Sequence, residues 1–170
     1  TDISNTFKSF YKSAELYYKH RKNLTDDEIK ELYKKNIKEY FNNNLKSIDT
    51  EIFLTNIDDL IKDKTPIKEA LLKQALMEFN NALSHLFNAL IGRKIEDNIP
   101  KAQTHLQRAS LDFNKAIIKD LSYLGKLDDE ITVIKNLRFK EYKKIGDNTI
   151  NRNIIIDDYN KEIKKILDNL

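Results

Sequence analysis

The chain spreads three glycines and two prolines over 170 residues, and these are the residues that most reliably interrupt regular backbone. Hairpins and sandwiches draw their tight turns from glycine-bearing and proline-bearing sequences, so little here can build the corners of a sheet. Between the breakers, at Pro66, Gly92, Pro100, Gly125 and Gly146, apolar residues recur at three- and four-residue intervals. The expected class is all-α. It is a single domain over residues 1–170, a bundle of about six or seven helices around a central antiparallel hairpin.

The spacing predicts a first helix from Ile3 to about Arg21, with Phe7, Phe10, Tyr11, Tyr17 and Tyr18 packed into the bundle. Thr25-Asp26-Asp27-Glu28 is a capping-box sequence and opens a second helix to about Asn43. A shorter segment, capped by Ser47 or Asp49, runs through Ile52, Phe53 and Ile57 to Ile61. From Pro66 to Ile91 a broad apolar stripe that includes Leu76, Leu83, Leu86 and Leu90 predicts a buried helix. Pro100 suits the first turn of its partner, which Gly125 ends after Leu124. Asp128 or Asp129 caps a further helix through Ile131, Ile134 and Leu137 to Ile145, where Gly146-Asp147-Asn148 breaks the pattern. The tail, with Ile154-Ile155-Ile156, Tyr159, Ile163, Ile166 and Leu170, either closes the bundle or docks on a partner.

Charge is plentiful and nearly balanced, 30 basic against 27 acidic side chains, so the net +3 is no argument for nucleic acid without local clusters. The absence of cysteine removes disulfides and thiolate metal sites and suits a reducing cytoplasm. No apolar run is long enough for a bilayer, and the first residues lack the basic and apolar regions of a signal peptide; the expectation is a cytoplasmic chain with no membrane contact. Gly-rich phosphate loops, nucleophile elbows and zinc-finger spacings are missing, which argues against NTPases, serine hydrolases and dinucleotide enzymes, and no cofactor is implied.

The chemistry-bearing feature is an internal repeat. Ala82-Leu83-Ser84-His85-Leu86-Phe87-Asn88-Ala89 and Ala102-Gln103-Thr104-His105-Leu106-Gln107-Arg108-Ala109 share the pattern A-x-[S/T]-H-L-x-x-A. If the hairpin turns near residue 95, His85 and His105 stand level on one seam of small residues. Two facing imidazoles can share a proton, hold an anion, or act as general base and acid on one phosphodiester. The plain alternative is packing, with Ser84 or Thr104 bonding back to the preceding turn. Two histidines leave zinc short of ligands; Glu78 and Asp112, each two turns away, are the carboxylates that could join them, and no metal is assigned.

Asn80-Asn81-Ala82-Leu83-Ser84-His85 resembles the Arg-Asn-x-x-x-His signature of HEPN domains, over a resemblance that runs from roughly Pro66 to Leu124. That family is all-helical, commonly dimeric and often a metal-independent ribonuclease, with its Arg and His brought together between two protomers. The resemblance implies His85 as catalytic histidine and Asn81 as its polar neighbour. Asn80 replaces the signature arginine and brings no fixed positive charge, so the implied domain is degenerate. Arg108, one turn beyond His105, or Arg93 in the hairpin loop would have to supply it.

The candidate catalytic set is therefore His85, His105, Asn81 and Arg108, and the candidate RNA-binding set is Arg93, Arg138, Lys140 and Lys143, with Phe139 and Tyr142 available for stacking. Lys19-His20-Arg21-Lys22 reads as a helix end whose charge complements the dipole. The leading expectation is a HEPN-like, degenerate domain that binds RNA or a partner protein in a defence or toxin–antitoxin setting, an endoribonuclease if active. The alternatives are a non-enzymatic helical interaction module, perhaps a homodimer, and a small-molecule or metal site at the His85/His105 seam.

Overall fold

A computed structural model of the chain describes residues 3–44, 70–127, 130–144 and 151–170. The segment expected from Ser47 to Ile61, the Pro66 helix start and the Gly146 break lie outside the described residues. Within them the chain is helical, with no strand: α1 (Ile3–Asn23), α2 (Asp26–Asn44), α3 (Ala70–Leu90), α4 (Ile95–Tyr123), α5 (Ile131–Lys144) and α6 (Arg152–Asn169).

The 29-residue α4 is the axis of the bundle, and α1, α2, α3 and α6 all pack on it. Its long apolar stripe explains why: Leu106, Leu111, Phe113, Ala116, Ile117 and Leu121 are all buried. The tail closes the bundle, since Ile155, Ile156, Tyr159, Ile163 and Ile166 of α6 join the same core as Leu16, Tyr17, Ile134 and Leu137. Ala75, Ala82 and Ala89 are buried along α3, and Ala102 and Ala109 along α4, so the two backbones of the hairpin approach with little side-chain bulk between them.

Local chemistry sets the joints. Thr25 and Glu28 close the capping box as expected, with Glu28 N–H donating to Thr25 Oγ1 at 3.3 Å and Thr25 N–H to Glu28 Oε2 at 2.8 Å. The hairpin turn is tighter than the sequence suggests. Gly92, at φ 77°, ends α3: its N–H reaches Ala89 O at 3.0 Å and Arg93 N–H reaches Asn88 O at 2.9 Å, the paired bonds of a Schellman end. Gly125, at φ 67°, repeats the device on Ser122 O and Leu121 O at the end of α4. Helix α4 starts at Ile95, and Pro100 lies inside it, not at its first turn. The missing N–H of Pro100 costs one exposed helical bond, which the packed remainder of α4 tolerates.

Two expectations about buried faces hold only in part: of the α1 aromatics Phe10 and Tyr17 pack into the core as expected. On α1, Tyr11 is 69% and Tyr18 68% exposed, while Thr6, Ser9, Ser13, Leu16, Tyr17 and His20 are buried. Both stripes have the three-four period, and the one that carries the small polar residues turns inward because α6 presents a carboxylate and two amides to it. Ser9 Oγ donates to Asp157 Oδ1 at 2.7 Å, Ser13 Oγ to Asn160 Oδ1 at 2.8 Å and Asn153 Nδ2 to Thr6 Oγ1 at 3.0 Å. Each buried polar group that finds such a partner avoids the cost of leaving it unpaired. On α3 the broad stripe divides: the alanines face α4, whereas Leu76, Leu83 and Leu90 are exposed.

Candidate functional site

The hairpin turn builds one half of the histidine site. Lys94 takes the left-handed conformation, at φ 42° and ψ 58°, and offers α4 no side-chain cap. Asn98 ties the turn from the other side: its Nδ2 donates to Arg93 O at 2.7 Å and to Lys94 O at 3.2 Å. With the amide nitrogen committed to two carbonyls, Oδ1 is the acceptor, and it meets His85 Nδ1 at 2.8 Å. His85 must therefore donate through Nδ1, which fixes its tautomer.

Helix α3 builds the other half. Glu78 Oε2 accepts from His105 Nδ1 at 2.5 Å, one carboxylate reaching across the alanine seam to the partner helix. The two imidazoles stack, with centroids 5.3 Å apart and planes 15° from parallel. Neither Nε2 has a hydrogen-bond partner among the described residues. A ring so held has its Nε2, the atom a general base uses, facing a site that is partly open to solvent.

The repeat thus brings His85 and His105 together, within one chain. Among the described residues no hydrogen bond or ion pair joins the other candidates to them. Asn81 and Asn80 are exposed on α3, and Asn80 instead accepts the Ser84 hydroxyl through its carbonyl at 3.1 Å. Thr104 bonds back in the same way to Pro100 O at 3.0 Å. Arg93 contributes its carbonyl to Asn98, with its side chain exposed. Arg108 lies with Asp112 and Glu78 along a cavity on the α6 side of the hairpin. On α5, Lys140 pairs with Asp158 at 3.2 Å, Arg138 stands 3.9 Å from Glu141, and Lys143 covers the Phe139 ring at 4.7 Å. Phe139 and Tyr142 are exposed beside them. Among the described residues, no group of three or more His, Asp or Glu side chains could hold a metal ion, so the expected carboxylate–histidine convergence is limited to Glu78 and His105.

Two features escape the sequence reading. His20, expected as a solvated helix end, is buried, and its Nε2 lies 3.0 Å from Asp120 Oδ2, which also takes Arg21 Nη2 at 3.1 Å. The available signal was Asp120 itself, an acid inside the apolar run Phe113, Ala116, Ile117, Leu121. The second is an apolar flank on α3, where Leu76, Leu83, Phe87 and Leu90 are exposed, Leu90 by 84%. Leu83, Phe87 and Leu90, with Ile95 and Ile99, border a groove of about 640 Å³ at the hairpin tip.

No described helix is long and apolar enough to cross a membrane. Comparisons of the chain with family models, with curated proteins and with solved structures find no match.

Proposed function

We propose that this chain is a helical interaction module that pairs with a second copy of itself through the outer flank of α3. The observation that carries the reading is the spacing of the exposed residues: Leu76, Asn80, Leu83, Phe87 and Leu90 follow one another at four, three, four and three residues. That is the seam of a coiled-coil helix, with one polar residue, Asn80, of the kind that fixes register. A seam of this period fits a helix carrying the same period, and the same seam on another copy is such a helix. It extends about 21 Å at 1.5 Å per residue. Its five residues, Leu76, Asn80, Leu83, Phe87 and Leu90, are uncharged, so they meet the same five on a second copy without repulsion. Large apolar side chains each gain roughly 1.5–3 kcal/mol when fully covered.

Sedimentation equilibrium of the native chain beside Phe87→Asp tests this. The expected result is a native dimer and a monomeric, equally helical variant, since Phe87 is exposed. A native monomer at all concentrations contradicts the reading.

The second reading is the HEPN-like one, a degenerate RNA-binding domain of the cytoplasm, and what favours it is the pair of unpartnered Nε2 atoms. Two imidazoles that each donate through Nδ1 are arranged for proton transfer at a phosphodiester, although Asn80 supplies no charge. RNA cleavage in EDTA that disappears in His85→Ala supports it; intact RNA with both proteins removes the nuclease.

A further inference from the structure

We propose that the cavity between the four helices α3, α4, α5 and α6 binds a small phosphomonoester, held by Arg108 and Arg152. The cavity measures about 220 Å³ and is lined by Glu78 of α3, Arg108, Asp112 and Lys115 of α4, Glu141 of α5 and Arg152 of α6. Its volume is below the roughly 300–1,000 Å³ of sites for drug-sized ligands, and suits a phosphate with a short polar body.

Six charged groups line the space, and their pairings decide what it attracts. Lys115 Nζ lies 2.5 Å from Glu141 Oε1, and Glu141 Oε2 accepts the Tyr159 hydroxyl at 3.1 Å, with Arg138 3.9 Å away. Glu78 is committed to His105 at 2.5 Å. Asp112 is half-buried, and burial, reinforced by Glu78 and Glu141, pushes its carboxyl up toward the protonated form against the pull of Lys115 and Arg108. Arg108 and Arg152 have no ion-pair or hydrogen-bond partner among the described residues.

Two unpaired guanidiniums on one cavity match the two negative charges of a phosphomonoester, and each planar fork can take two phosphate oxygens. A phosphodiester has one charge and leaves one guanidinium without a counterpart. The site is separate from the α3 flank proposed for self-association, and its test does not depend on that pairing.

Titration of the full chain with ribose 5-phosphate, followed by calorimetry, is the experiment, with dimethyl phosphate as the diester probe. Expected are saturable binding of ribose 5-phosphate, a loss of at least about tenfold in Arg152→Gln and in Arg108→Gln, and binding of dimethyl phosphate weaker by about tenfold or more. Asp112→Asn is expected to retain binding, because it removes a negative charge from the cavity wall and leaves both guanidiniums in place. Both arginines are on the cavity wall with exposed or half-exposed side chains, and circular dichroism checks that the variants stay folded. The proposal is overturned by absence of saturable binding, by equal affinity for the diester, or by undiminished affinity in the two arginine variants.

Discussion

Two histidines of this chain face a carboxylate, and they have opposite surroundings. His20 meets Asp120 at 3.0 Å with 3% and 0% of the two side chains exposed; His105 meets Glu78 at 2.5 Å with 20% and 19% exposed. Asp120 is also held by Arg21, and the three groups tie the end of α1 to α4. The Glu78–His105 pair ties α3 to α4 but leaves His105 Nε2 without a partner, beside a second imidazole in the same condition. The length of the bond does not separate a fastening from a reactive group. What separates them is whether an atom capable of proton transfer remains unpaired and reachable.

The most severe test of that contrast is Asp120→Ala. It leaves His20 and Arg21 at a buried site without their shared acceptor, and the expected cost is about 3–5 kcal/mol in denaturant unfolding. A cost under about 1 kcal/mol would put the two pairs in the same class.

Ala82→Leu acts on the other pair through packing. Ala82 has no exposed surface, so two extra branches force α3 and α4 apart, with an expected loss of about 1–3 kcal/mol. The imidazole NMR signals of His85 and His105 should move while those of His20 stay; movement of all three would mean that the sites are not independent.

Gly92→Ala meets no atom within 4 Å of the new Cβ but must keep φ at 77°. The expected cost is about 1 kcal/mol from backbone strain alone. If the turn holds Asn98 as described, His85 retains its Nδ1–H tautomer in this variant and loses it in Asn98→Ala, which nitrogen-15 shifts of the ring report.

The smallest effects are electrostatic. Burial raises the folded-state carboxyl of Asp112 above its unfolded value, so this group costs stability once it is charged, and the cost is relieved as pH falls through the raised value. Asp112→Asn should therefore raise the unfolding temperature near neutral pH by about a degree and change little near pH 3. Glu28 and Asp168 have the opposite sign. Hydrogen bonds from Lys126 and Lys164 lower them, Asp168 to about 2, so their contributions are present at neutral pH and fade as acid protonates them. Equal shifts in Asp112→Asn at both pH values would contradict the assignment.

How far the sequence can be read depends on what each signal specifies. Three-four spacing located α1, α2, α4, α5 and α6, and Gly125 marked the end of α4, because helix period and positive-φ ends are local properties. The His85/His105 register followed from counting along an antiparallel hairpin. Period does not say which of two adjacent stripes turns inward. The serine stripe of α1 left Tyr11 and Tyr18 outside, and α3 put alanines against α4 and left Leu76, Leu83 and Leu90 exposed, because those choices belong to the neighbouring helices. Pro100 misplaced the start of α4 for a similar reason: a breaker's local preference yielded to a turn closed by Gly92 and Asn98. The Asp120 cluster and the Arg108–Arg152 cavity join residues far apart in sequence, and spacing carries no trace of them.

The proposed self-pairing of α3 is open to direct test because the chain has no cysteine. Leu83 lies at the middle of the seam from Leu76 to Leu90, so the proposed pairing sets it against its own copy whether the two helices run parallel or antiparallel. Leu83→Cys should form a disulfide-linked dimer rapidly under mild oxidation at low protein concentration, while Lys135→Cys on the exposed face of α5 stays monomeric. Equal, slow cross-linking of the two variants would contradict it.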